Sequence, residues 1–284
     1  MKIAFSINET KPAAKAAAER LAARAVAFGL EVVPCLAASD STSRLSLLIA
    51  LGGDGTILRC VHEHPGLPVL GFNLGGLGYL SSVEKKDFDS ALSLLAAGRF
   101  RIAERTMLAV RSSARSLVCS SALNDIVITR EMTGHAAMLD LSVDGHRPTR
   151  YFADGLVVAT PTGSTAYSLS AGGPVVMSDA RSFVITPMNP HALGIRPQVV
   201  ADSSRLVVTA LTRGDAAALR RRGAMPSGAA SLGVYADGEA VAMLAPGESV
   251  EISKSEQVAK IVELEGYDPY AVLAHKLGWT GTTL

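Results

Sequence analysis

An α/β domain followed by a β-rich domain is the architecture the sequence predicts. Three observations carry that expectation. Apolar strand-like runs alternate with helix-like stretches up to about residue 100, which implies a parallel sheet covered by helices. Beyond Arg99, short β-type runs follow one another almost without pause. Asp144-Gly145 and Asp237-Gly238 fall between such runs, and Asp-Gly is a strong hairpin signal. The expected division is 1–100 as a parallel, Rossmann-like α/β domain and 101–265 as a sandwich-like, all-β domain. Residues 266–284 are expected to return to the first domain as a helix.

Each element has its own reason. Lys2–Ile7 reads as a short buried strand. Pro12–Phe28 is rich in alanine, with Pro near its start and Gly29 past its end, which is good helix punctuation. Glu31–Cys35, Leu45–Leu51 and Val69–Phe72 read as further strands, with a helix from near Ile57 and another over Asp87–Ala97, stopped by Gly98. In the second half the β-type runs are Met107–Val110, Ile126–Thr129, Met138–Val143, Leu156–Ala159, Phe183–Thr186, Leu206–Thr209, Leu232–Tyr235, Val241–Leu244 and Val250–Ile252. Asp268–Leu277 reads as the tail helix, and Arg213–Gly228 as a mobile basic loop.

Composition narrows the function. In 284 residues, 48% hydrophobic and 5% aromatic, cores must be built mostly from Ala, Val, Leu and Ile. A net charge of +1 gives no broad basic field for nucleic acid, so a charged ligand has to be gripped locally. The start, MKIAFSINET, carries too short an apolar run for a signal peptide, and no segment approaches a bilayer span of roughly 20 residues. Cys35, Cys60 and Cys119 are odd in number and lack CxxC spacing, which suits reduced thiols in a cytoplasmic protein. His62-Glu63-His64 has no second ligand pair and reads as a solvated helix end rather than a metal site.

Three segments carry the chemistry. The run LIALGGDGTIL, residues 48–58, sets a carboxylate at the end of a strand among three glycines. Glycines reach backbone angles closed to other residues and let a ligand approach the peptide groups; free N–H groups at a helix start suit phosphate. The plainer alternative is a tight turn with Asp54 capping the helix. Neither GxxxxGK[ST] nor GxGxxG fits these residues. The second segment runs from Ala153-Asp154-Gly155 through Thr160–Pro174, a hydroxyl-rich turn with Tyr167 and a diglycine. It could hydrogen-bond and stack a heteroaromatic ring, or simply cap a helix. GxSxG is missing, so Ser164 is no nucleophile elbow. In the third, Asn124-Asp125 precedes a strand; an amide suits a purine edge and a carboxylate suits sugar hydroxyls, though Asn-Asp is also an ordinary turn pair.

Together these segments resemble the NAD kinase family. Gly52–Thr56 stands as its GGDGT motif, Asn124-Asp125 as its NE/D motif, and Thr160–Pro174 as its TPTGSTAYSLSAGGP signature. Pro187–Leu193 with Arg196-Pro197 match a further landmark, and Lys276–Trp279 looks like the family's C-terminus. GGDGT alone is shared with phosphofructokinases and lipid kinases; the combination with the GSTAY run is specific. The resemblance implies ATP-dependent phosphorylation of the adenosine-ribose 2′-hydroxyl of NAD, with Mg²⁺ and a homodimer or homotetramer.

By family position, Asp54 is the general base or a metal ligand, and Gly52, Gly53, Gly55 and Thr56 meet the ATP phosphates. No dedicated protein metal site is implied, Mg²⁺ arriving with ATP. NAD contacts fall to Asp54, Gly55, Asn124, Asp125, Asp154 and the run Thr165, Ala166, Tyr167, Ser168, Leu169, Ser170. Asn124 and Asp125 take the adenosine portion, Asp154 the nicotinamide-riboside end, and Thr165–Ser170 the adenine pocket. Arg59 is either a phosphate contact or a surface arginine, and Tyr79 either flanks the pocket or packs in the core. There are departures too. Phe152 stands where many relatives carry a basic residue or histidine, a departure that puts the pyrophosphate contact there in question, with Arg150 two positions earlier as a further candidate NAD contact. Glu239 stands where relatives often have an amide, and Asp125 replaces the commoner glutamate.

Overall fold

The computed structural model describes residues 1–7, 12–33, 45–75, 78–80, 83–112, 119–131, 136–211 and 231–279. The chain divides into two compact units, Met1–Glu104 with Val258–Leu284, and Arg105–Gln257.

The first unit is a parallel sheet in the order β2 (Glu31–Val32), β1 (Lys2–Ile7), β3 (Leu47–Leu51), β4 (Val69–Asn73), with β5 (Val83–Glu84) parallel to β4. Every residue of β3 and β4 is buried, as expected for parallel strands covered on both faces. Helices α1 (Pro12–Ala27), α2 (Asp54–Glu63) and α3 (Phe88–Ala96) alternate with these strands. Leu21 and Ala25 of α1 pack with Phe88, Ala91, Leu92 and Leu95 of α3 over Ile3, Ile49, Leu70 and Phe72. Phe72 and Phe88 stack with centroids 4.6 Å apart. The tail helix α5 (Pro269–Leu277), capped by Asp268 at its start and by left-handed Gly278 at its end, belongs to this unit.

The second unit is a β-sandwich. One layer has the antiparallel order β13 (Gln198–Ala201), β12 (Ser182–Met188), β11 (Gly155–Ala159), β8 (Asp125–Arg130), β15 (Leu232–Ala236), β16 (Glu239–Leu244). The other carries β10 (Thr149–Ala153), β9 (Ala137–Val143), β14 (Leu206–Ala210) and the start of β17 (Ser249–Leu264), with β6 (Phe100–Ser112) and β7 (Cys119–Ala122) paired beside them. Alternate residues of both layers, among them Ile126, Ile128, Leu156, Phe183, Leu139, Leu206, Val250 and Ile252, meet in one core. The α/β-plus-β architecture expected from the sequence is therefore present.

Several local expectations need correction. Helix α2 starts at Asp54, not near Ile57, because Gly53 already serves as its N-cap in extended geometry. Strand β2 is two residues long where five were expected, and Cys35 lies outside the described residues, as does the Arg213–Gly228 loop. The His62–His64 segment is solvated only in part: His62 is exposed, but His64 ends the helix at 7% exposure. Strands β7, β10 and β13 were not anticipated, and β6 and β17 run far beyond their apolar centres.

Candidate active site

In the first unit, β3 ends at Leu51 and the chain turns through Gly52 and Gly53 into α2. The Gly52 N–H donates to Phe72 O at 2.9 Å, tying the turn to β4. None of the three turn glycines has a positive φ, so left-handed geometry is not their purpose. Gly53 and Gly55 are exposed, and a Cβ built on either would meet nothing within 4 Å. Their contribution is open room above a helix N-terminus, where N–H groups point outward.

The Asp54 carboxylate turns toward the segment at residues 78–80. Its Oδ2 accepts the Tyr79 N–H at 2.8 Å and its Oδ1 the Leu80 N–H at 3.1 Å. Both oxygens thereby accept main-chain N–H groups, which orient the carboxylate. Burial, and then the Asp54 charge, push the Tyr79 hydroxyl above its usual range. The Lys276 ammonium lies 5.6 Å from the Tyr79 ring centroid, a cation–π distance that ties α5 to this segment. Arg59 donates to Ile7 O at 2.6 Å. Its Nε lies 3.8 Å from Glu63 but is too far for a hydrogen bond, so the pairing is loose.

In the second unit the hydroxyl-rich run folds back on itself. A 3-10 turn over Thr162–Thr165 leads into the single turn α4 (Tyr167–Ser170). Thr160, fully buried, donates its hydroxyl to Leu123 O at 2.6 Å, accepts the Gly163 N–H at 3.0 Å, and donates its own N–H to Asn124 O at 2.9 Å. Ser168 and Thr186 share a hydrogen bond of 2.8 Å, both fully buried, so Ser168 braces the turn from within. Tyr167 is 44% exposed, leaving a ring face open. Gly163 is obligatory for a steric reason: a Cβ there would stand 1.9 Å from Asn124 O.

Asp125 begins β8 with its carboxyl buried. Burial first, then the neighbouring Asp237 charge, push it up to about 7, while a hydrogen bond from the Tyr167 N–H acts the other way. Asp154 is held on two sides: Arg130 Nη2 lies 2.8 Å from its Oδ1, and Asn189 Nδ2 donates to its Oδ2 at 3.0 Å. Asn189 adopts a left-handed φ of 46° to do so. Arg150 forms a two-pronged pair with Asp140, both contacts at 2.8 Å, across β10 and β9. Phe152 meets His191 edge to face at 4.4 Å. Glu239 is exposed beside the Asp237-Gly238 turn.

Sequence reasoning missed Arg130, Asn189 and Asp237. Asp237 accepts the Leu123 N–H at 2.7 Å, the Asn124 N–H at 2.8 Å and the Asp125 N–H at 3.1 Å. The only signal for it was the Asp-Gly pair, which marks a turn and says nothing of what the carboxylate reaches.

The architecture is that of the dinucleotide kinases. The yeast NADH kinase solved with NADH superposes with a TM-score of 0.84 over 100% of this chain and 89% of its own, at 24% identity, a likeness of fold. The Archaeoglobus fulgidus NAD kinase solved with ATP gives 0.74 over 99% and 100%, at 27% identity. Residues 36–100 match the ATP-NAD kinase N-terminal domain and 123–264 the ATP-NAD kinase C-terminal domain. The NAD kinase of Symbiobacterium thermophilum is 38% identical, covering 98% of this chain and 99% of the relative. That of Heliobacterium modesticaldum is 34% identical over 95% and 96%. The chain belongs to the NAD kinase family.

Proposed function

We propose that this chain transfers the terminal phosphoryl group of ATP to the 2′-hydroxyl of the adenosine ribose of NAD, giving NADP and ADP. The observation that carries the reading is the Asp54 carboxylate, oriented by two main-chain N–H groups beside an open glycine turn. A sugar hydroxyl is a poor nucleophile at neutral pH, so a fixed carboxylate that takes its proton as the bond to phosphorus forms lowers the barrier. Asp54 is that base. Gly52, Gly53, Gly55 and Thr56 offer the helix start to the ATP phosphates, and Arg59 lies one turn further along α2.

Magnesium comes with the nucleotide. Mg²⁺ favours phosphate oxygens and water, with one or two carboxylates. Asp54 fits that pattern; among the described residues no group of three or more His, Cys, Asp or Glu could hold a metal. When bound, the ion would neutralise charge spreading over the phosphate oxygens.

On the dinucleotide side, Asn124 and Asp125 hold the adenosine portion, and the Thr165–Ser170 turn forms the adenine pocket with the exposed Tyr167 ring available to stack. Asp154, oriented by Arg130 and Asn189, receives the nicotinamide-riboside end. Cytoplasmic residence is supported by three cysteines without paired spacing. Self-association as a homodimer or homotetramer is supported by the edge strand β13, where Val199 is 55% exposed, and by Leu193, 90% exposed. No described helix is long and apolar enough to cross a membrane.

The test is direct. Purified protein with Mg-ATP and NAD is coupled to an NADP-specific dehydrogenase. Steady reduction of newly formed NADP is expected; its absence, with ATP and NAD unconsumed, contradicts the reading.

A further inference from the structure

Asp237 offers more hydrogen-bond capacity than a hairpin needs. It sits with Gly238 at the β15–β16 turn, Ala236 pairing with Glu239 across a two-residue loop, and both loop residues have positive φ, 47° and 87°. That is the primed hairpin turn, in which Asn is as well suited as Asp. The turn alone therefore does not require a carboxylate.

The carboxylate reaches across the sheet instead. It accepts three successive main-chain N–H groups, Leu123, Asn124 and Asp125, at 2.7, 2.8 and 3.1 Å. The Asp237 N–H returns a bond to Asp125 O at 3.0 Å. From the other side Thr160 holds Leu123 O and Asn124 O. Every one of these bonds uses main-chain atoms of Leu123, Asn124 or Asp125 rather than the side chains of the Asn124-Asp125 pair. The backbone is thus fixed without occupying either side chain, the Asp125 carboxyl meeting the Tyr167 N–H from α4.

We propose that Asp237 is a positioning residue for dinucleotide recognition, whose carboxylate fixes the backbone at Leu123–Asp125 so that the Asn124 and Asp125 side chains are presented to the adenosine portion of the substrate. This rests on the reading of that pair as part of the dinucleotide site. The groups facing the Asp125 carboxyl are the Asp237 carboxylate from the hairpin and the Tyr167 N–H from α4. Asp237 thus acts twice on its neighbour, by geometry and by charge.

Asp237→Asn separates this role from turn formation. The amide keeps the turn, but its NH₂ cannot accept, so at least one of the three N–H groups loses its partner. We first measure wild-type NADP formation, which tests the functional reading independently. With that established, the variant is expected to raise KM for NAD by about tenfold or more with a smaller change in kcat. Loss of the Asp237 charge should also move the titration of Asp125, followed by carboxyl NMR, to lower pH. That shift follows from the charge and checks that the two carboxyls are neighbours, whereas the rise in KM for NAD beyond any change in kcat is what a merely structural role would not give. Amide exchange in the wild-type protein, which needs no variant, should find Leu123, Asn124 and Asp125 strongly protected. An unchanged KM, an unmoved Asp125 titration, or rapid exchange at those three amides would each overturn the proposal.

Discussion

Gly53 and Gly55 in the first unit leave nothing within 4 Å of where a Cβ would stand, whereas a Cβ on Gly163 in the second would come 1.9 Å from Asn124 O. The same residue type serves opposite ends. At the start of α2, Gly53 and Gly55 leave space that no protein atom fills. Around the Asn124-Asp125 pair, glycine lets protein close on protein. The carboxylates divide the same way: Asp54 is oriented by two N–H groups on a half-exposed helix start, while Asp125 is buried beside a second acid. The first unit keeps an open turn beside an oriented acid, the second a closely packed turn beside a buried one.

That contrast can be broken by substitution, and the largest effects come from the crowded side. Gly163→Ala should destabilise the protein by about 3 kcal/mol or more, because the obstacle is main chain and cannot rotate away. Chemical denaturation measures it, and a near-neutral result would mean the turn is looser than its contacts imply. Thr160→Val, nearly isosteric, leaves Leu123 O and the Gly163 N–H without their hydroxyl partner. It should cost about 2–4 kcal/mol in the same assay.

Asp125 sharpens the comparison through pH. Its folded pKa of about 7 lies above the ordinary 3.8, so between those values the folded state holds a proton the unfolded state has released. Its stabilising contribution is therefore full below pH 4 and is lost as pH rises through about 7. The span corresponds to at most roughly 4 kcal/mol. Asp125→Asn should flatten that fall, seen as a smaller drop in stability between pH 5 and pH 8 than in the wild type. On the open side, Gly55→Ala should fold at least as well, gaining about 0.5–1 kcal/mol of helix propensity, while weakening ATP use. The smallest effect is expected at Arg150. Its guanidinium is engaged by Asp140 on the surface, so Arg150→Gln should change stability by less than about 1 kcal/mol and KM for NAD by no more than about twofold.

What could be read from the sequence follows the same physical division. Buried parallel strands such as Leu47–Leu51 announce themselves as unbroken apolar runs, and both Asp-Gly turns carry their geometry in two letters. Strands β7 (CSSA) and β10 (TRYFA) have no such pattern, being defined by their partners rather than by their own side chains. Long β6 and β17 are interrupted by charges such as Arg101 and Glu263, which neutralise each other across the strands. At the site, motif residues were legible because glycine and acid spacing is local. Asp237 was not, because its partners are peptide N–H groups 112 to 114 residues away, and any sequence supplies those. Arg130 and Asn189 escaped for a related reason: each meets Asp154 only once β8, β11 and β12 are assembled.

Asp54→Asn tests the central claim most directly. The amide preserves size and one acceptor oxygen but cannot take up a proton at neutral pH. With turnover and NAD affinity measured on the same preparation, kcat should fall by about 10²–10⁴-fold while the dissociation constant for NAD stays within a few-fold. Full turnover in that variant, or turnover lost only in proportion to NAD binding, would contradict the assignment of this carboxylate as the base.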